Sequence, residues 1–571
     1  MTESLANPPE KARTNSLPRI GWAVLILATL YVCYFSHLGA IGFVGPDEPR
    51  YAWIARDMAE TGDWVTPRLY GKPWFEKPPL FYWGAAVCFK VFGVSEAAAR
   101  LPSAISSLLA TLALSWLALR LYGAETAHWL LLLLPTTVGM IGFSHAAATD
   151  MPFSGMLTIA MVCAAVVLRV DPAEAGGASP APTNRAAHWA ALILFGVFLG
   201  LAVLAKGPAA IILCGGAVFF WALFSKRWRD AFRLFHPAAF AAFCLTALPW
   251  YILCARRNPE FFRVFIIEHN FKRFLTPEFQ HIQPFWFYGS VLAVALLPWT
   301  ALAVWSLALG SARSWRQRQI SHGSLLLLTW AGFCLVFFTI SKSKLPGYIL
   351  PAIPAIVALM VRCRFAFAAD RTKSLAISLF VSSLLFACGF ALVENLAPHT
   401  SQGSVNFGIA AGLILGVLSF ANLFLGIGVS FWPSGKSGVG LAVCCVLPVL
   451  FAVANTEKLL PSFFRWDPSG KALSEELRRQ AIPINELSAA KNMSRGQRYS
   501  MNFYLRQEIP EWDREHPHSG YLLIGNRGYQ SQVGSDFKFE LVPFDLEKTG
   551  YFLYKVDSLS AAGTAGGGKA Q

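Results

Sequence analysis

Long apolar segments recur through the first four-fifths of this 571-residue chain, and they constrain its fold more than any other feature. Each segment approaches the roughly 20 residues that an α-helix needs to cross about 30 Å of hydrocarbon. Only 14% of the residues are charged, whereas soluble globular domains average about 25%. Because backbone polar groups inside a bilayer must be satisfied internally, the chain is predicted to be an all-α polytopic membrane protein.

About 13 apolar segments are predicted to be transmembrane helices by a window of roughly 20 residues. They run over residues 20–41, 98–119, 126–144, 151–169, 187–204, 207–224, 236–255, 286–309, 323–340, 345–361, 374–393, 406–429 and 437–455. The first segment is interpreted as a retained span and not as a signal peptide, because it is long and lacks a small-residue cleavage site. The membrane domain is therefore predicted to cover residues 20–455.

Basic residues fall in alternate loops when the tail, residues 1–19, is placed in the cytoplasm. The basic residues on that side are Lys11, Arg13, Arg19, Lys226, Arg227, Arg229, Arg233, Arg313, Arg316, Arg318, Arg362, Arg364, Arg371 and Lys373. This alternation satisfies the positive-inside rule. It explains the net charge of +15 (48 basic minus 33 acidic residues) through topology, so no nucleic-acid partner is predicted.

The same orientation places two long loops, 42–97 and 256–285, on the outer face of the membrane. Within the first, the apolar segment from Pro79 to Val94 is predicted to be an interfacial helix, because it contains Lys90 and is short. Beyond Ala454 the composition becomes polar. Residues 456–556 are predicted to form a soluble α/β domain on the outer, periplasmic side, and residues 557–571 a disordered Gly/Ala/Ser-rich tail.

The C-terminal domain carries its own local signals. Helical patterning covers Gly470–Arg479, and short alternating runs cover Gly520–Ile524 and Phe537–Val542. Alternation of apolar and polar residues is typical of half-buried strands.

Ionisable and aromatic residues gather at the outer loops and the outer span ends. They are Asp47, Glu48, Arg50, Tyr51, Glu76, Lys77, Asp150, Lys206, His269, Arg273, Lys342, Lys344 and Tyr348. Charged groups near a bilayer boundary are costly unless they are paired or solvated, and they often mark a functional cavity. Ordinary interfacial ion pairing and snorkelling are the alternative for each of them.

The first of these motifs runs from Gly45 to Trp53. If a helix starts here, Asp47, Arg50 and Tyr51 share one face at the i, i+3 and i+4 positions. Asp47 is then either a carboxylate aimed into the cavity or a helix N-cap. In the second motif, Trp74 to Pro79, adjacent Glu76 and Lys77 precede two prolines, and a lysine ammonium suits a phosphate oxygen.

These motifs resemble the lipid A aminoarabinose transferases and their relatives among the protein mannosyltransferase-like GT-C glycosyltransferases. The matching pieces occur in family order over about residues 20–360. They are Pro46–Ala52, Gly62–Trp64, Phe75–Pro78, Ala205–Gly207, Pro249–Trp250, Asn258–Phe261, Glu268–His269, Arg273–Phe274 and Lys344–Leu350. The span count and the trailing external domain are similar to this family as well.

The resemblance implies a donor sugar carried on undecaprenyl phosphate, a lipid A or other glycolipid acceptor, and a location in the bacterial inner membrane. It implies that Asp47 is the catalytic carboxylate. It also implies further roles by position: Lys77, Arg273 and Tyr348 hold the donor phosphate, and Arg50, Tyr51, Asp150 and Lys206 line the sugar cavity. No cofactor is required for the chemistry, although Glu76 and His269 resemble a pair that binds a divalent metal, Zn or Mg, structurally.

One spacing departs from the family pattern. Three residues separate His269 from Arg273, whereas the family has two, so either the register shifts here or a small bulge absorbs the extra residue. Two alternatives in function stay open at this point. One is a protein O-glycosyltransferase that uses the same donor. The other is a lipid transporter or flippase, although such proteins tend to place polar groups near the bilayer midplane, often between inverted repeats.

Overall fold

The computed structural model describes residues 16–170, 185–272, 282–317, 320–367 and 438–455, short stretches between 376 and 427, and most of 467–558. The helices of the first half are α1 (Ser16–Tyr34), α2 (Asp47–Thr61), α3 (Leu80–Phe92), α4 (Glu96–Tyr122), α5 (Ala124–Leu133), α6 (Val138–Ser144), α7 (Asp150–Val167), α8 (Arg185–Lys206), α9 (Ala209–Ser225), α10 (Trp228–Phe232) and α11 (Pro237–Arg257). A π-helix, Arg263–Lys272, follows α11.

The remaining membrane-type helices are α12 (Phe287–Ala295), α13 (Thr300–Gln317), α14 (His322–Ile340), α15 (Ile353–Phe367) and α16 (Gly438–Ala454). Among the described residues, six helices are long and apolar enough to cross a membrane, or up to eight if each of two bent pairs is one span. Their lengths and composition confirm a polytopic, mostly helical membrane protein. Two of the predicted spans, 374–393 and 406–429, lie largely outside the described residues.

Three predicted spans are wrong in detail. The segment 20–41 is helical only to Tyr34. The segments 126–144 and 286–309 are each two helices, α5 with α6 and α12 with α13, bent by 61° and 110°. Pro135 and Pro298 lie at the two breaks. A proline lacks the N–H that would continue the helical ladder, and its ring clashes with the preceding turn, so a straight helix ends there.

The first long loop folds into a compact unit. Helix α2 begins at Asp47 and is capped at its C-terminus by Gly62, whose left-handed φ of 75° favours glycine. A two-stranded hairpin follows, formed by β1 (Arg68–Leu69) and β2 (Lys72–Pro73). Helix α3 has 13 residues and is therefore about 20 Å long, which is too short to span a bilayer.

The C-terminal region is an α/β unit whose sheet has the order β4-β3-β5-β7-β6. Its elements are α17 (Lys471–Arg479), β3 (Leu487–Ala490), α18 (Arg495–Leu505), β4 (Glu511–Trp512), β5 (Gly520–Ile524), β6 (Phe537–Val542) and β7 (Phe552–Ser558). The helix predicted over 470–479 and the two predicted strands are confirmed. Strand β7 extends two residues beyond the domain end predicted at 556, and residues 559–571 lie outside the described part of the chain.

Alternation along the strands gives this sheet two apolar faces. Leu523 and Leu553 pack with the helices on one face, whereas Leu522, Ile524 and Tyr554 pack with Trp512 on the other. Side chains of successive strand residues point to opposite faces, so this pattern follows from the sequence.

The α/β unit rests directly on the first loop. The Tyr504 hydroxyl donates to Glu96 Oε1 at 2.8 Å and accepts from the Phe43 N–H at 3.1 Å. The Lys471 ammonium lies 2.9 Å from the same Glu96 carboxylate. Arg56 of α2 donates to the Phe503 carbonyl oxygen at 2.9 Å. The loop that carries Asp47 is therefore held between the membrane helices and the α/β unit.

We expect Tyr504→Phe to lower the stability of this junction by about 1–2 kcal/mol, because the buried Phe43 N–H and the Glu96 carboxylate each lose a partner. The measurement is thermal unfolding of the purified protein in detergent. Tyr521→Phe, in the same α/β unit but away from the junction, is the matched control. Equal melting temperatures for Tyr504→Phe and the wild type would show that this contact does not stabilise the junction.

Candidate active site

Two carboxylates and one guanidinium meet at the start of α2. Arg50 Nη2 donates to Asp47 Oδ1 in a short contact, Arg50 Nη1 donates to Glu76 Oε2 at 3.1 Å, and Arg50 Nε donates to the Pro46 carbonyl at 2.9 Å. The side chain of Arg50 is only 6% exposed, whereas that of Asp47 is 49% exposed. The buried Arg50 side chain therefore bridges the two carboxylates, and Asp47 stays accessible to solvent.

The structure excludes one of the two interpretations of Asp47, that of a helix N-cap. The N-cap position of α2 is Pro46, and no side chain caps the helix there. Asp47 lies instead in the first turn, where a carboxylate interacts favourably with the helix dipole. The alternative of a capping aspartate is therefore wrong.

Aromatic rings enclose the Arg50 guanidinium. Its Cζ lies 5.8 Å from the ring centroid of Tyr51, 5.6 Å from that of Trp74 and 5.5 Å from that of Tyr499. These separations allow cation–π attraction. Tyr499 belongs to helix α18, so the C-terminal unit contributes one wall of this cluster.

The charges of this cluster shift two pKa values. Burial works to lower the pKa of Arg50, but the negative charges of Glu76 and Asp47 outweigh it, and the pKa rises. Burial first, and then the negative charges of Glu76 and Asp47, raise the pKa of Tyr51 well above its ordinary value. Arg50 therefore stays charged and Tyr51 stays protonated.

A second buried pair, of which only Glu48 is among the candidate residues named from the sequence, fixes the start of α2. Arg100 donates to Glu48 through Nε at 3.0 Å and through Nη2 at 2.9 Å. Glu48 also accepts from the backbone N–H groups of Val44 at 2.9 Å and Ala147 at 2.7 Å. One carboxylate thus ties the first loop to α4 and to the segment before α7. The only sequence signal for this pair is a charged residue in the first turns of an apolar span.

Three other predicted site residues meet where α7 begins and α8 ends. Lys206 Nζ donates to Asp150 Oδ1 at 2.5 Å and lies 4.5 Å from the ring centroid of Tyr348. Both charged side chains are largely buried. Because Ala147 is bonded to Glu48, this cluster lies at the same end of the helix bundle as Asp47.

Gly347 leaves room for this second cluster. A Cβ atom at position 347 would lie 2.5 Å from Asp150 Oδ1 and 2.9 Å from Asp150 Cγ, closer than Cβ atoms approach other atoms in real structures. We expect Gly347→Ala to displace Asp150 from Lys206 and to lower the rate of the reaction at this site at least about tenfold, because misplacement of a site group by about 1 Å can cost up to about 100-fold.

Gly142→Ala is the matched control for this substitution, because a Cβ atom at position 142 meets no atom within 4 Å. The measurement is the initial rate of sugar transfer by equal amounts of folded protein. A Gly347→Ala rate equal to that of Gly142→Ala would show that the Asp150–Lys206 pair does not support the reaction.

A cavity of about 620 Å³ opens beside Glu76, between the first loop and the segment 257–264. Its lining residues are Pro73, Trp74, Phe75, Glu76, Arg257, Asn258, Pro259, Glu260, Arg263 and Val264. Phe75 anchors the wall against Phe261, with ring centroids 5.3 Å apart. Lys77, half-buried, follows directly on Glu76. Lys344, which the sequence analysis placed at the outer face, is buried and donates to the Gln283 carbonyl at 3.1 Å.

Two residues of the predicted metal and phosphate sites, His269 and Arg273, lie where a described range of the chain ends. Arg273 and the His269 side chain lie outside the described residues. Glu76 accepts from Arg50, and within the described ranges no group of three or more His, Cys, Asp or Glu side chains converges as a metal site. The roles of Glu76 and His269 as metal ligands therefore stay predictions.

The backbone before Arg273 bears on the unusual spacing. Residues 263–272 form a π-helix, whose hydrogen bonds run from i to i+5. A π-turn holds more residues than an α-turn, so it accommodates an extra residue without shifting the flanking chain. Because Arg273 itself lies outside the described residues, both explanations for the three residues between His269 and Arg273 stay predictions.

Comparisons with known proteins identify the fold and the family of the chain. Residues 21–265 match the family described as dolichyl-phosphate-mannose-protein mannosyltransferase. The structure superposes on the crystal structure of ArnT from Cupriavidus metallidurans bound to undecaprenyl phosphate with a TM-score of 0.74 and 23% identity, covering 94% of this chain and 98% of that one. The fold is therefore that of ArnT.

Sequence relatives are more informative about the family. The chain is 30% identical to the undecaprenyl phosphate-alpha-4-amino-4-deoxy-L-arabinose arabinosyl transferase of Erwinia tasmaniensis, over 70% of each chain. It is 31% identical to the protein of the same name from Edwardsiella ictaluri, over 77% of this chain and 78% of the relative. The chain therefore belongs to the family of the undecaprenyl phosphate-aminoarabinose arabinosyl transferases, which are membrane glycosyltransferases.

Proposed function

We propose that the protein transfers 4-amino-4-deoxy-L-arabinose from undecaprenyl phosphate to a glycolipid acceptor such as lipid A. Family membership supports the reaction class, and the relatives' names supply the donor. The observation that carries the proposal for this chain is the half-exposed Asp47 carboxylate, held by Arg50 beside Glu76 at a cavity. The full topology proposed with it has about 13 spans in the bacterial inner membrane, a cytoplasmic N-terminus, and a periplasmic site and C-terminal domain.

The proposed reaction is a single in-line displacement that inverts the anomeric carbon. An acceptor oxygen forms the new bond to this carbon while the bond from the carbon to the phosphate oxygen breaks, and undecaprenyl phosphate leaves with the bonding electrons. Lys77, Arg273 and Tyr348 stabilise the charge on the leaving phosphate. The phosphate needs no proton to leave.

Asp47 then has a role that depends on the acceptor. If the acceptor is a hydroxyl group, Asp47 accepts its proton as the bond forms. If the acceptor is a phosphate, no base is needed, and Asp47 positions the reacting groups. In both cases Arg50 holds Asp47, and Arg50, Tyr51 and the Asp150–Lys206 pair line the sugar cavity. No cofactor is proposed for the chemistry, and a divalent metal at Glu76 and His269 would have a structural role.

The test is to follow the label from a donor with a radioactive sugar on undecaprenyl phosphate. Purified protein is incubated with this donor, total membrane glycolipid and membrane protein. Label that moves into glycolipid supports the proposal. Label that moves into protein would replace it with protein O-glycosylation, and movement of intact donor across vesicles without transfer would replace it with lipid transport.

A further inference from the structure

A second cavity of about 660 Å³ lies between the β1–β2 hairpin and helix α18 of the C-terminal unit. Its size is within the range of about 300–1,000 Å³ that is usual for ligand sites. Pro73 and Trp74 line both this cavity and the one beside Glu76, so the two cavities share a wall. Arg50 lies at that wall, because its guanidinium is 5.6 Å from the Trp74 ring.

The lining of the second cavity combines aromatic rings with charges of both signs. The rings are those of Tyr70, Trp74 and Tyr499, and Tyr70 and Tyr499 lie 6.4 Å apart between centroids. Lys72 and Glu508 are exposed at its margin, and neither has an ion-pair partner among the described residues. Aromatic faces pack against the apolar faces of sugar rings, while an ammonium and a carboxylate bind phosphate and hydroxyl groups. This lining suits a phosphorylated carbohydrate.

The shared wall contains an unsatisfied donor. The indole Nε1 of Trp74 is buried and has no hydrogen-bond partner within the described part of the chain. Buried donors without partners are rare in native structures, because each forfeits a hydrogen bond that water would supply. Because this N–H is closed to water, it does not open into either cavity, and a ligand in the second cavity would meet the ring of Trp74.

We infer that the second cavity holds the carbohydrate headgroup of the glycolipid acceptor, an inference that rests on the proposed function. In-line displacement requires the nucleophile and the leaving group on opposite sides of the anomeric carbon. The donor would occupy the cavity beside Glu76, and the acceptor would occupy the second cavity on the other side of Trp74. The two substrates would then meet at Asp47 and Arg50. Tyr499 contacts both the acceptor cavity and Arg50, so the C-terminal unit takes part in acceptor recognition.

The first test is Lys72→Glu, with donor and acceptor concentrations varied separately. Reversing this charge is expected to raise the KM for lipid A at least about fivefold, the effect of losing one charge-assisted hydrogen bond, and to leave the KM for the donor unchanged. Lys90→Glu is the matched control, because Lys90 is also exposed in the first loop but lies over Trp64, outside the cavity. An unchanged KM for lipid A in Lys72→Glu would overturn the inference.

The second test does not depend on turnover. Hydrogen exchange of the full-length protein is measured with and without purified lipid A, in the absence of donor. We expect lipid A to protect residues 69–74 and 498–511. If the wild type transfers no sugar but this protection is seen, the proposed reaction fails and the acceptor site stands. If lipid A protects neither segment, or a Ser/Thr-containing peptide protects them in its place, the inference is wrong.

Discussion

Replacing Asp47 by Asn is expected to lower kcat for sugar transfer by about 100-fold or more, because the carboxylate either accepts the proton of an acceptor hydroxyl or positions the reacting groups. An amide cannot accept a proton, and it no longer pairs as an anion with Arg50. Arg50 keeps Glu76 as a partner at 3.1 Å, so the fold of the first loop should persist. The measurement is the initial rate with saturating donor and acceptor, together with the melting temperature.

Glu60→Gln is the matched control for Asp47→Asn. Glu60 is an exposed carboxylate on the same helix, and it lies 4.0 Å from Arg56, which is outside the Asp47–Arg50–Glu76 cluster. Its conversion to an amide should leave the rate within about twofold of wild type, as for surface substitutions of small energetic effect. A folded Asp47→Asn protein with the same rate as Glu60→Gln would remove Asp47 from the mechanism.

The largest expected effect on stability comes from Arg100→Met. This substitution leaves the buried Glu48 carboxylate without its cation, and it also removes donors from the carbonyl oxygens of Leu38, Ile41 and Gly42. Removing one partner of a buried ion pair costs about 3–5 kcal/mol. We expect a large fall in melting temperature and in the yield of folded protein.

Two further variants separate this effect from the loss of an arginine in general. Arg120→Met changes an exposed arginine near the other end of the same helix and should be nearly neutral. Glu48→Gln combined with Arg100→Met removes both charges and should be less destabilised than the sum of the single variants, because the two residues are in contact. Strict additivity would show that the ion pair does not contribute to stability.

Local sequence patterns predicted much of the fold. From the sequence, a helix start at Asp47 was only a condition for Asp47, Arg50 and Tyr51 to share a face, and the structure meets that condition. Alternation located the strands at 520–524 and 537–542. The bends in two predicted spans were missed, although Pro135 and Pro298 lie at the breaks. A hydropathy window averages over roughly 20 residues, so a single proline hardly changes its value.

Long-range pairing was the part that the sequence did not reveal. Asp150 and Lys206 were both candidate residues, but nothing in their spacing predicts that they bond to each other. Glu48 and Arg100 are 52 residues apart, and their partnership depends on how α2 packs beside α4. Tyr499 lies in a separate unit, and only the docking of α18 on the first loop brings its ring to Arg50.

The most direct test of the central claim is the mass of lipid A after incubation with purified protein and undecaprenyl phosphate-aminoarabinose. The proposed function predicts lipid A that is heavier by one aminoarabinose residue, formed with loss of the donor and formed at least about 100-fold more slowly with Asp47→Asn. Lipid A of unchanged mass, with folded wild-type protein and intact donor present, would contradict it.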